Sequence, residues 1–212
     1  MVATLTSAPE STPLLLDAQR LFCERDGRVL FTDLDIQLLP GDLVELRGPN
    51  GSGKTTLLRA LAGLNPDFEG GLTLSERLLY QGHRVGLNLL LTPLENLNWY
   101  QTLQHLPSDR ITLEAALAAV GLAGYDDTPC HRLSAGQQRR VLLARLHLHL
   151  APGGALLWLL DEPLTALDTA GAEVLRGLLV ARIDSGGAVL CATHQGLGLT
   201  QSRLLDLGAV RL

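Results

Sequence analysis

Gly48-Pro49-Asn50-Gly51-Ser52-Gly53-Lys54-Thr55-Thr56 fits the pattern G-x-x-x-x-G-K-[ST], a loop that cradles phosphate in its backbone N–H groups. The flanks agree with that reading. Leu43-Val44-Glu45-Leu46 alternates as a strand ahead of the loop, and Thr56 to Ala62 is a helix-forming run closed by Gly63. Glycines at 48, 51 and 53 let successive N–H groups turn inward with no Cβ in the way, and the helix start adds its positive end. Lys54 is spaced to reach the β- and γ-phosphates of a nucleotide, and the Thr55 hydroxyl to ligate Mg²⁺.

Composition narrows what surrounds this cradle. At 212 residues the chain suffices for one sizeable core: a short flexible tail over 1–13 and one domain over 14–212. Met1 to Pro13 has neither Lys nor Arg nor an apolar run, which excludes a secretory signal. Hydrophobic residues make up 46% and mean hydropathy is +0.19, yet no apolar run reaches the roughly 18 residues of a membrane span. A net charge of −5 without any basic block argues against a nucleic-acid surface. The cysteines, Cys23, Cys130 and Cys191, lack C-x-x-C spacing and read as packing residues of a protein in a reducing cytoplasm.

Ahead of the cradle, alternating runs flank Arg25-Asp26-Gly27-Arg28, whose Asp-Gly pair predicts an antiparallel hairpin. Behind it, Gly70-Gly71 reads as a separator for two short strand-like runs, Leu72-Thr73-Leu74 and Leu78-Leu79-Tyr80, making a mixed β layer around the cradle. The period then turns helical, giving a lobe over about 84–150. Thr92-Pro93-Leu94-Glu95 is a capping box, a second helix opens at Thr112, and Ser134 with Gln137 makes another box. His105, His131, His147 and His149 fall in or beside this lobe; 147 and 149, two apart, do not share a helix face, and these histidines read as surface residues. Two continuous apolar runs follow, one ending at Asp161-Glu162 and one at His194, as central strands of a parallel sheet would. Ligands of such sheets bind at the strand C-termini.

Phosphoryl transfer needs a cradle, a metal, a group that activates water and compensation for charge on the γ-phosphate. Asp161 is the candidate for holding Mg²⁺, Glu162 for polarising water, and His194 for contacting the γ-phosphate. Leu133-Ser134-Ala135-Gly136-Gln137 supplies a second helix start, where Gly136 lets an anion approach. One chain cannot easily aim two helix starts at one γ-phosphate from opposite sides. The economical expectation is ATP sandwiched between two copies.

Together these residues resemble the ATP-binding subunits of ABC transporters from about Leu14 onward. The resemblance implies an α/β P-loop NTPase fold with a RecA-like parallel-sheet core, an N-terminal antiparallel β subdomain and an inserted helical subdomain. In its terms Gly48–Thr55 are the Walker A loop, Leu157–Asp161 Walker B, Glu162 the catalytic glutamate, and Leu133–Gln137 the signature. Thr165–Asp168 then form the D-loop, with Asp168 at the nucleotide, and His194 is the switch histidine. Where the family usually stacks an aromatic on adenine this chain has Arg25, and where a glutamine usually follows the strand ending near Tyr80 it has His83. Within the superfamily, Cys23-Glu24-Arg25-Asp26, Leu133 to Arg140, Leu160 to Ala166 and Thr193-His194-Gln195 are similar to the ATPase of bacterial cytochrome c maturation, a haem exporter subunit. The implied cofactors are ATP and Mg²⁺. Implied partners are a second copy, integral membrane permease subunits and, indirectly, a haem chaperone, at the cytoplasmic face of the bacterial inner membrane. The other reading is a soluble ABC-type ATPase switch with no membrane partner. Such switches usually carry tandem cassettes or long coiled-coil insertions, and this sequence has neither.

Overall fold

Asp26 and Gly27 take φ of 52° and 72°, the pair of positive angles that a two-residue hairpin turn requires. They join β1 (Leu16–Arg25) to β2 (Arg28–Leu38) in the antiparallel ladder that the Asp-Gly pair predicts. The computed structural model describes residues 14–74, 77–84, 86–154 and 156–208, so the expected tail over 1–13 lies outside it. Next come β3 (Leu43–Arg47), the cradle loop and α1 (Lys54–Leu61).

Beyond α1 the structure departs from the expected mixed layer. Gly70 and Gly71 do not separate two strands; both lie inside β4 (Glu69–Leu74), which adds to the free edge of β1. Gly70 has φ +117°, and a Cβ there would sit 2.7 Å from the carbonyl oxygens of Gln19 and Arg20. The glycine is demanded by close approach at the irregularity of β1 between Gln19 and Phe22, not by a turn. β5 (Leu78–Gln81) leaves this sheet and joins the parallel one.

The helical stretch holds α2 (Pro93–Leu103), α3 (Arg110–Ala119), a 3₁₀ turn at Cys130–Arg132 and α4 (Ala135–Leu148). Both expected capping boxes form. Thr92 N–H donates to Glu95 Oε2 at 2.8 Å while Thr92 Oγ1 accepts from Glu95 N–H at 3.2 Å, and Ser134 with Gln137 repeats the exchange. Each cap contributes about 1 kcal/mol. α3 begins earlier than Thr112, because Asp109 takes the N-cap and accepts from Thr112 N–H at 3.0 Å.

The remaining elements are β6 (Leu157–Asp161), α5 (Thr169–Asp184), β7 (Ala188–Ala192) and β8 (Arg203–Asp206). The parallel sheet has the order β5-β6-β7-β3-β8. Side chains alternate between its faces. Leu157 and Leu159, Leu190 and Ala192, Val44 and Leu46 pack toward α1 and the antiparallel sheet. Trp158 and Leu160, Val189 and Cys191 pack toward α2 to α5. Each fully buried leucine contributes about 1.5–3 kcal/mol. All three cysteines are buried and free, as packing residues should be. No helix among the described residues is long and apolar enough to cross a membrane.

Candidate functional site

Register fixes where chemistry can occur. Asp161 pairs with Ala192, and Ala192 with Leu46, so β6, β7 and β3 end in one row. Gly48, Glu162 and His194 leave that row together. They open onto a cleft of ≈ 410 Å³ lined by Asn50 to Thr56, Asp161, Glu162, His194, His83, Arg25 and Leu30. A roomier groove of ≈ 760 Å³ lies elsewhere, among Asp17, Asp35, Asp42 and Arg203, and has none of the cradle's donors.

The loop is shaped by its glycines. Gly48, at φ +147°, lets the chain fold back so closely that a Cβ would meet Ser52 Oγ at 2.7 Å. Gly53, at φ +100°, is the N-cap of α1 and offers no side-chain oxygen, leaving the first N–H groups of the helix to a ligand. Ser52 Oγ is buried with no hydrogen-bond partner among the described residues, an orphan that a phosphate oxygen would satisfy. Lys54 Nζ donates to the carbonyls of Gly48 at 2.7 Å and Pro49 at 3.1 Å. It bends over the loop it will serve.

Beside the loop, Thr55 Oγ1 donates to Asp161 Oδ2 at 2.9 Å. Two hard oxygen ligands thus stand side by side. No cluster of three or more His, Cys, Asp or Glu among the described residues could hold a metal alone. The residues fit Mg²⁺, which takes one or two protein oxygens and draws the rest from phosphate and water.

Glu162 has φ +51°, a left-handed conformation that costs a non-glycine residue about 1 kcal/mol or more. Its N–H donates to Ala192 O at 2.8 Å, and its carbonyl accepts from Thr165 N–H at 3.1 Å. The carboxylate lies against the end of β7: Oε2 accepts from His194 N–H at 3.3 Å and Oε1 is 3.2 Å from His194 Nε2. Oε1 makes no hydrogen bond among the described residues, and a carboxylate with a free oxygen beside such a cleft can activate water. Behind the row, Glu45 is buried on β3 and accepts from Leu197 N–H and Ser202 Oγ. Burial pushes its carboxyl up, but these bonds and Arg47 outweigh that and hold it below its ordinary range. Glu45 thereby anchors the loop that carries His194.

The two departures from the family pattern, Arg25 and His83, both reach the cleft. Arg25 is largely exposed at its mouth, 3.7 Å from Asp26. Ser134, Gly136, Gln137 and Asp168 do not line it. Ser134 caps α4, whose first turn is open at Gly136, and Asp168 caps α5 through Gly171 N–H at 2.8 Å. Asp168 also pairs with Arg140 at 2.7 Å, and that bond, with the Gly171 N–H, holds its carboxyl below the usual range. The start of α4 at Gly136 and the cleft are therefore separate surfaces of one chain. A residue the sequence reading passed over stands between them: Arg139, which is buried and donates to the carbonyls of Glu162 and His83.

Comparison with known proteins agrees with this geometry. Residues 31–165 match the family described as ABC transporter. The chain is 49% identical over 210 residues to the cytochrome c biogenesis ATP-binding export protein CcmA of Pseudomonas savastanoi pv. phaseolicola, covering 92% of this chain and 96% of that protein. It is 44% identical to the CcmA of Saccharophagus degradans, covering 90% and 92%. Among solved structures, an ABC transporter ATP-binding protein from Pyrococcus furiosus superposes with a TM-score of 0.79 at 20% identity, covering 93% and 99% of the two chains.

Proposed function

The chain belongs to the ABC transporter ATP-binding family, and from that premise we propose how its cleft hydrolyses ATP and what the hydrolysis drives. The loop N–H groups and Lys54 bind the β- and γ-phosphates, Lys54 exchanging its Gly48 and Pro49 carbonyls for phosphate oxygens. Thr55 and Asp161 would hold Mg²⁺, which would supply positive charge beside the phosphates. Glu162 takes the proton of the attacking water, and His194 orients the carboxylate and contacts the γ-phosphate. Ser134, Gly136 and Gln137 of a second copy close over the nucleotide from its exposed side, with Asp168 at the seam. Arg25 meets the base end of the nucleotide with a guanidinium in place of a ring.

The observation that carries this reading is the separation of the Gly136 surface from the cleft, which leaves each chain with half of two sites. The engine so built drives integral membrane permease subunits from the cytoplasmic face of the bacterial inner membrane. Its task is haem export or release of a haem chaperone in c-type cytochrome biogenesis, a reading supported by the names of its relatives. Capturing the native protein from detergent-solubilised membranes tests the assignment. Recovery with hydrophobic subunits and a haem-binding partner is expected. Full recovery in the soluble fraction, alone or on ribosomes or DNA, would replace it with the switch reading.

A further inference from the structure

Arg139 lies on α4, five positions beyond the Ser134 cap, and is 3% exposed. Its Nη2 donates to Glu162 O at 2.6 Å and its Nη1 to His83 O at 3.2 Å, while Nε is buried without a partner among the described residues. A guanidinium removed from water is costly, and a side chain kept there for packing alone would not need the charge. Both of its acceptors are backbone atoms of residues that line the nucleotide cleft. Glu162 is also the residue whose backbone stands at φ +51°.

We infer that Arg139 is a positioning residue that ties α4 to the backbone of Glu162 and His83, so that the general base is aimed at water only when α4 is seated. Glu162 is fixed on one side by Ala192 O and on the other by the donors to its carbonyl, Arg139 and Thr165 N–H. Removing Arg139 leaves that carbonyl to Thr165 N–H alone, and the side chain of this left-handed residue then shifts away from the reacting water. A misplacement of about 1 Å in such an arrangement costs up to about a hundredfold in rate. Because α4 begins at the Gly136 surface, anything that docks there pulls on the same guanidinium. Closure over a partner's nucleotide is thereby transmitted to the chain's own base without contact between the two nucleotides. The inference rests on Glu162 acting as the base.

The test compares the full-length wild type with Arg139→Met, Arg139→Lys and Glu162→Gln, each checked for folding by thermal melting. Steady-state ATPase gives kcat and KM, and titration with a fluorescent ATP analogue gives the dissociation constant. For Arg139→Met, kcat should fall about tenfold or more while KM and nucleotide affinity stay within about twofold. Arg139→Lys keeps the charge but not the fork, so it should recover only part of kcat. A kcat within about twofold of wild type in either folded variant overturns the inference, and should Arg139→Met not fold, Arg139→Lys decides alone. A loss expressed in KM or affinity with kcat unchanged also overturns it, since that would mark a structural part in the cradle. Wild-type turnover by Glu162→Gln would overturn it on different ground, by removing the base it positions.

Discussion

Glu162 combines a strained backbone, an imidazole nitrogen 3.2 Å from its carboxylate and a place next to Asp161, the residue proposed to hold Mg²⁺. Glutamine has the same shape and accepts the same His194 N–H but cannot take a proton. Glu162→Gln should therefore bind ATP normally and lose turnover by about 10²–10⁴-fold, with an ATP-bound dimer accumulating on size exclusion. Turnover above about a hundredth of wild type would remove Glu162 from the proton path. Most of the cleft's lining could be named from residue types and spacing, because loop glycines, Lys54 and strand-end acids act close to where they stand in sequence. Arg139 could not. Its acceptors lie 56 and 23 positions away, and only the folded chain brings them to it.

Helix starts recur through the fold, and their uses differ. Asp109 and Asp168 satisfy α3 and α5 from within. α1 begins at a glycine and leaves its donors to a ligand. α4 is intermediate, capped by Ser134 yet open at Gly136, where a Cβ would meet only Ala166 O at an ordinary 3.4 Å. Gly136→Asp should therefore fold, bind nucleotide in its own cradle, and fail to dimerise with ATP because the new carboxylate repels the γ-phosphate. Light scattering of the variant with MgATP reads this directly, and an unchanged dimer would sink the sandwich arrangement. Caps and buried central strands were legible because each writes a local pattern. β8 was not, since its short, largely exposed Arg203–Asp206 run carries no alternation, and β4 was cut by glycines that a neighbouring strand requires.

Two cores back to back on one sheet make the protein's stability depend on what is buried far from the cleft. His149, expected at the surface, is instead buried where α4 ends against α2, beside Tyr100, whose hydroxyl is 3.1 Å from Nε2. Burial first, then the nearby Arg145 and Arg182 charges, push its pKa down to about 4. Above pH of about 6.5 the imidazole is neutral folded or unfolded, and the shift changes nothing. As pH falls from about 6.5 to about 4, the unfolded chain takes up a proton that the folded one refuses, and stability drops by up to about 3 kcal/mol. Glu45 adds its loss lower still, as pH falls through its depressed value. Urea titrations from pH 7 to 4 should show this decline, and His149→Gln should flatten its upper part. An unchanged slope in the variant would assign the decline to other groups.

The bonds from Lys54 to the Gly48 and Pro49 carbonyls bear on how a catalytic cycle ends. Once the γ-phosphate is cut free, the lysine has somewhere else to go: it can release orthophosphate and lose little, because two carbonyls accept its hydrogen bonds. Product inhibition by orthophosphate should accordingly be weak, whereas ADP, still gripped by the loop N–H groups, should leave last; ATPase assays with added orthophosphate or ADP read the difference.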